Sequence, residues 1–268
     1  MSEIHPGFQS LIDALKRDED RFTGYVPVGW MQGRTAYGGV STAMALAVAK
    51  ARFPGLAPLR SLQMGFVGPV GEQPVFSPSV LRQGRNVTVV GVNVESGGRL
   101  CGRLTLFFGA SRKSALSETL TAPDAPEPET VEPFTPPAMR RFVPVFFLRF
   151  DTRLIEGHRP MTGAKDGYMR LWSRHEDPAS RDGILSFIAL ADALPPAAAP
   201  KLTTFGPVSS MNWQLNILTP ELATRDGWWH VETRLSAGQD GYSAQIMRYW
   251  NTDGTLIAEG TQSVALFV

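Results

Sequence analysis

The chain has 268 residues, 43% hydrophobic and 19% charged, with a formal net charge of +1. That balance provides for a sizeable apolar core and gives no electrostatic reason to bind nucleic acid or an anionic membrane surface. Cys101 is the only cysteine, which excludes an internal disulfide and a thiolate metal cluster, and no apolar run approaches the ~18 residues that span a bilayer.

The first residues, "MSEIHPGFQSLIDALKRDED", lack the basic start and apolar stretch of a secretory signal, so the expected location is the cytoplasm. A short amphipathic helix is predicted near 8–17. Gly38 and Gly39 then precede "VSTAMALAVAKA", whose Ala-rich composition predicts a helix over 39–52 that closes at "RFPG". Alternating β-branched and aromatic runs predict strands near 59–67, 74–83, 86–95 and 98–109, with "GPVGEQ" and "ESGGR" as turns. The segment 121–139, "TAPDAPEPETVEPFTPPAM", is dense in proline, which locks φ and removes donors; an extended connector is expected there.

Beyond the connector the grammar repeats. Strands are predicted near 145–155 and 167–174, a helix over 182–194, and strands near 208–218, 228–237, 241–251 and 255–266. "LQMGFVGPV" aligns with "WQLNILTPE" at a constant offset of 151, matching Gln63 to Gln214 and Pro69 to Pro220. "GGRLCGRLTLFF" aligns with "DGTLIAEGTQSV" at an offset of 156. The chain is therefore expected to be an α+β duplication, with units at 1–120 and 140–268 joined by 121–139.

One carboxylate stands out in the apolar run "FIALADALPP". Asp192 falls on the helical stripe of Leu185, Ile188 and Ala189, which directs it inward, and near a helix C-terminus, where the dipole disfavours negative charge. The alternative is a solvent-facing aspartate at a helix end. On the last strand, alternation places Gln262 on the face of Leu256, Ala258, Gly260 and Val264, with Gly260 permitting close approach of a neighbour; a core glutamine satisfied by backbone is the bland alternative. Ser210 alternates with Asn212, Gln214 and Asn216, opposite Met211, Trp213 and Leu215, which also describes a solvated face. At the two offsets Gln262 corresponds to Leu106 and Ser210 to Leu59, and the helix from Gly39 to Phe53 holds no acid. One half thus carries three polar groups that the other lacks. The "YGGV" at 37–40 is either a tight strand-to-helix turn or a place where Tyr37, Gly38 and Gly39 bring a helix start close to a ligand.

"AYGGVSTAMALA", "LQMGFVGPV", "VLRQGRNVTVVGVNV" and "GTLIAEGTQSVALF" resemble the acyl-CoA thioesterase II family over nearly the whole chain. The resemblance implies a double hotdog, two central helices each wrapped by a curved antiparallel sheet, and cofactor-free hydrolysis of an acyl-CoA. Its site consists of an Asp on the second helix, a Thr on the following strand and a Gln on the last strand. By position these become Asp192, Ser210 and Gln262, with Ser209 as a one-residue alternative for the hydroxyl. Asp192 would then act as base on a water held by Ser210 and Gln262, with Gly38 and Gly39 as oxyanion donors and an apolar pocket between the halves beside Asp192.

Other chemistries fit less well. No G-x-S-x-G occurs, and His5, His158, His175 and His230 sit in no triad context. No H-x-x-x-H or H-E-x-x-H suggests a metal. "DALPPAAAPK" lacks the histidine that a hotdog hydratase places after its helix aspartate. A non-catalytic acyl-CoA or acyl-carrier binding module remains the second reading. Two fused units already mimic the dimer that single hotdogs need, and a homodimer of double hotdogs is compatible with the sequence.

Overall fold

The computed structural model describes residues 6–268. The helices are α1 (Phe8–Asp13), α2 (Gly38–Arg52) and α3 (Gly183–Ala191). The first half contributes β1 (Lys16–Asp18), β2 (Arg21–Thr23), a small hairpin of β3 (Met31–Gln32) and β4 (Thr35–Ala36), β5 (Leu59–Phe66), β6 (Val75–Gln83), β7 (Val87–Ser96) and β8 (Arg99–Gly109). The second contributes β9 (Phe150–Gly157), β10 (Tyr168–His175), β11 (Val208–Ile217), β12 (Trp229–Gln239), β13 (Tyr242–Trp250) and β14 (Leu256–Leu266).

Twelve of these strands form one sheet in the order β1-β2-β6-β7-β8-β5-β11-β14-β13-β12-β10-β9. The order is the same from either end once β5 is equated with β11, β8 with β14 and β7 with β13. The seam is the antiparallel pair β5–β11, where Gln63 lies directly opposite Gln214. A residue pairing with its own counterpart is what a two-fold axis through the seam requires, and it reproduces the offset of 151. The neighbouring ladders reproduce the other offset: Leu62 pairs with Leu106, and Trp213 pairs with Gln262. Even the irregularities match, with a bulge after Leu59 in β5 and after Ser210 in β11.

The helices fill the concave side. Every residue of α2 from Gly39 to Ala49 is buried, which explains why its sequence is apolar on all sides instead of amphipathic. In α3, Ser186 to Ala191 are buried. Small residues let the helices meet closely: a Cβ on Gly39 would lie 2.5 Å from the Ala189 carbonyl oxygen. This is the double hotdog arrangement, with both central helices wrapped by strands.

Three expectations need correction. The first helix ends at Asp13, and Lys16–Asp18 turns back on Arg21–Thr23 through Glu19 at φ 51°. All three residues of β1 are exposed, so no alternation announced a strand. Residues 145–149 form a 3-10 turn after Pro144 instead of beginning a strand. Helix α3 stops at Ala191, leaving Asp192 as its C-cap at φ −100°, ψ 6°, because the prolines at 195 and 196 disfavour further helix.

The segment 121–139, expected as an extended connector, holds no α-helix or named strand and is bound as a strap along the second half. Trp250 Nε1 donates to the Leu120 carbonyl at 2.8 Å, Trp172 Nε1 to Pro126 at 2.9 Å, and Trp228 Nε1 to Glu129 Oε1 at 3.1 Å. Its own Phe134 is buried, and the Phe134 N–H donates to the Thr152 carbonyl at 2.7 Å. No helix among the described residues is long and apolar enough to cross a membrane.

Candidate functional site

Asp192, Ser210 and Gln262 come together beneath the C-terminal end of α3. Gln262 projects inward from β14 and is 5% exposed. Its Nε2 donates to Asp192 Oδ1 at 2.8 Å and to Ser210 Oγ at 2.9 Å. As expected from the sequence, Gly260 allows close approach on the same face: a Cβ there would collide with the Gln214 carbonyl and lie 2.9 Å from Leu215 Cδ1.

Ser210 arrives by a route that strict alternation does not give. The bulge takes Met211 out of register, so Ser210 lies opposite Val264 while Trp213 lies opposite Gln262. Ser210 therefore shares the inner face with Trp213, not the outer face with Asn212. Met211, expected inside, is 44% exposed. Ser209 is exposed, and it is Ser210 that meets Gln262.

Asp192 keeps a little solvent exposure, yet protein crowds its carboxyl. Burial pushes its pKa up from 3.8 to about 7, against the bonds from Gln262 and from the backbone N–H of Gly39, which favour the ionised form. Gly38 is equally close: a Cβ on it would collide with Asp192 Oδ2 and lie 2.7 Å from Phe66 Cζ. The start of α2 thus puts the positive end of a helix dipole beside a carboxylate placed at the negative end of α3. Tyr37 is 1% exposed, stacks on Phe146 at 4.4 Å and donates its hydroxyl to the Ala189 carbonyl. Tyr249 does the same for the Ala191 carbonyl. The two phenols hold the last carbonyls of α3 and so fix where Asp192 sits, and the Tyr37 hydrogen is committed to the Ala189 carbonyl. Burial and the Asp192 charge hold both phenols protonated.

Sequence reasoning missed Gln245. It lies opposite Gln262 in the β13–β14 ladder, is 2% exposed, and donates from Nε2 to Gln262 Oε1 at 2.8 Å. The Ala197 N–H donates to Gln245 Oε1 at 2.6 Å. In the first half the corresponding row is apolar: Val90 pairs with Leu106, which pairs with Leu62.

The histidines lie elsewhere. His175 donates to the Ser186 carbonyl at 2.8 Å among Phe8, Trp30 and Phe150, and His230 sits between Trp172 and Trp250. Burial lowers the pKa of each to about 4. His158 is exposed beside Asp166, and His5 lies outside the described residues. Among the described residues no three His, Cys, Asp or Glu side chains are grouped to hold a metal.

A groove of 730 Å³ opens between the first half and Leu218–Glu221 of the second, and one of 600 Å³ opens along the first half; Arg112 and Phe108 line both, with Arg60 in the larger and Arg52 and Arg85 in the smaller. Neither includes Asp192, so the pocket expected beside that carboxyl is neither of these. Phe66 and the start of α2 crowd the space there.

Comparison with known proteins adds a lineage to this geometry. Residues 26–109 match the family model of the acyl-CoA thioesterase N-terminal domain, and residues 121–266 that of the C-terminal domain. No curated protein sequence matches significantly. Among solved structures, a hotdog-fold protein of unknown function from Alicyclobacillus acidocaldarius superposes with a TM-score of 0.88 at 24% identity, covering 99% of each chain. The acyl-CoA thioesterase II TesB2 of Mycobacterium marinum superposes at 0.75 with 18% identity, covering 97% of each. The dehydratase domain of RzxB from Pseudomonas fluorescens, at 0.54 and 12% identity, covers 97% of this chain and 99% of its own. At such identities the likeness is one of fold, and the fold serves more than one chemistry.

Proposed function

Because this chain belongs to the acyl-CoA thioesterase family, we propose that it hydrolyses an acyl-CoA to a free acid and CoA, with Asp192, Ser210 and Gln262 as the working groups. The observation that carries this reading is that one buried amide donates its two hydrogens to a carboxyl and a hydroxyl, in one half only.

An acyl thioester is already activated, so the site needs to orient a water and take its proton. Asp192, with a pKa near neutrality, is suited to that exchange. The water oxygen bonds to the thioester carbonyl carbon as one of its protons passes to Asp192, and the carbonyl oxygen becomes an oxyanion. Collapse of that intermediate breaks the carbon–sulfur bond and expels the CoA thiolate, which takes up a proton. Gln262 uses both amide hydrogens to set the distance between Asp192 and Ser210, and the Ser210 hydrogen is left to donate to water or oxyanion. Since the Gly39 N–H is engaged by Asp192, Gly38 is the better candidate for the oxyanion donor at the start of α2. The same reading divides the chain into a first unit through 120, the strap at 121–139, and a second unit from 140 that carries the site.

The test is a panel of acyl-CoA substrates from acetyl to long-chain and aromatic, with free CoA read by a thiol reagent. Turnover of any member, lost in Asp192→Asn, supports the proposal. Tight acyl-CoA binding with no thiol release would instead favour a non-catalytic binding module.

A further inference from the structure

We propose that Gln245 is a positioning residue that dictates which end of the Gln262 amide faces Asp192 and Ser210. The inference rests on the hydrolytic reading of that site.

Its starting point is a group whose role cannot be reversed. The Ala197 backbone N–H is only a donor, so the Gln245 atom it meets at 2.6 Å must be the carbonyl oxygen. Gln245 then turns its NH₂ group toward Gln262, and the 2.8 Å contact obliges Gln262 to offer its own carbonyl oxygen there. What Gln262 has left is an NH₂ group with two hydrogens, facing two acceptors, Asp192 Oδ1 and Ser210 Oγ. Although N and O of an amide are hard to tell apart, this series of partners admits one assignment.

The opposite orientation would be harmful. It would place carbonyl lone pairs against the carboxylate and draw the Ser210 hydrogen into the amide, away from any ligand. Gln245 and Gln262 are 2% and 5% exposed, so water is poorly placed to relieve the mismatch. Val90 occupies the corresponding place in the first half, where it is fully buried. The strand position itself therefore does not demand a glutamine.

The titratable groups facing Asp192 are Tyr37 from the start of α2 and Tyr249 from β13, both held protonated by burial. A change in the acid limb of the activity profile therefore reports on Asp192.

The experiment compares Gln245→Met, similar in length but without hydrogen-bonding groups, with wild type and Asp192→Asn. We expect kcat to fall at least 10-fold with KM within about threefold, and the acid limb of kcat/KM to move upward by half a pH unit or more. The side-chain NH₂ signals of Gln262 in a ¹⁵N spectrum, assigned by their absence in Gln262→Leu, should shift and exchange faster with solvent. If Gln245→Met does not fold, Gln245→Val replaces it, the residue type that the first half places there as Val90; it neither accepts from Ala197 nor donates to Gln262, and the same changes are expected. A folded variant with wild-type pH profile and unchanged Gln262 signals overturns the proposal, even if kcat falls. If Asp192→Asn hydrolyses at the wild-type rate, the hydrolytic reading fails, and the Gln262 signals alone then decide whether Gln245 orients the amide.

Discussion

Replacing Asp192 by asparagine separates the charge of this carboxyl from its shape. The introduced amide is nearly isosteric and can still accept from Gln262 through its carbonyl oxygen, so the packing should survive. In the folded protein the carboxyl holds its proton up to about pH 7, whereas its ordinary value is 3.8. Between those limits the folded state binds a proton that the unfolded chain has released, so stability falls as pH rises through the window. A difference of about three pH units, at about 1.4 kcal/mol each, makes the ionised carboxyl a burden of about 4 kcal/mol above pH 7. Roughly 2–3 kcal/mol of that should appear between pH 5 and pH 8. Urea titrations of wild type and Asp192→Asn at these two pH values isolate this group, because every other titration cancels in the double difference. The variant should be the more stable protein at pH 8 and lose less stability between pH 5 and pH 8. Hydrolysis should move the other way, with kcat lower by roughly 10²–10⁴ and KM little changed. The wild-type kcat/KM should rise with pH to a plateau above about pH 7, since only the ionised carboxyl takes a proton. A variant as active as wild type, with the same pH dependence of stability, would refute both the base role and its energetic origin.

Three further outcomes follow from the packing. Gly38→Ala should displace the Asp192 carboxyl and Phe66, lowering kcat at least about 10-fold in a folded protein, whereas Gly39→Ala meets the unyielding Ala189 carbonyl and should show chiefly as a lower Tm. Leu106→Ala, at the first-half position that answers to Gln262, should cost about 2–5 kcal/mol in urea titrations while leaving turnover per folded molecule unchanged. His230→Phe should flatten the acid side of the stability profile: the unfolded chain binds protons below about pH 6.5 that His230 refuses until about pH 4, so wild-type stability falls through that window.

Much of the scaffold was legible because its signals are local and repeated. The offsets of 151 and 156 place Leu59 and Leu106 opposite Ser210 and Gln262 in the symmetry, and the ladders obey both. Asp192 announced itself as a charge in an apolar run. Two single-residue bulges hid the rest. One, at Met211, moves Ser210 to the inner face, where alternation did not put it. The other, between Tyr249 and Trp250, shifts the β13–β14 register. Counting back from the turn at Asp253 and Gly254 without it would set Gln245 opposite Thr261, an exposed residue, and so conceal its partnership with Gln262. Alternation does carry a faint signal, since Gln245 shares its face with Met247 and Tyr249, both buried. The contacts of the strap were not legible because proline content reports backbone stiffness but says nothing about what the stiff segment lies on.

The strap also has a bearing on how the sheet ends. Because the sheet stays open, two outermost strands present unpaired backbone groups, and such edges invite strands from other chains. At one margin β1 is only three residues long and wholly charged, Lys16, Arg17 and Asp18, a poor template for addition. At the other margin β9 is eight residues long and carries Phe150, Leu154 and Ile155, and there the strap intervenes: Pro133 bridges to Arg153, and Phe134 takes the Thr152 carbonyl. A proline in that place can lie along the margin without extending a donor to a further strand. Residues 121–139 thus guard the molecule against growing by edge-to-edge association, and a version with this segment shortened would betray its loss as aggregation, not as a slackened tether between two halves.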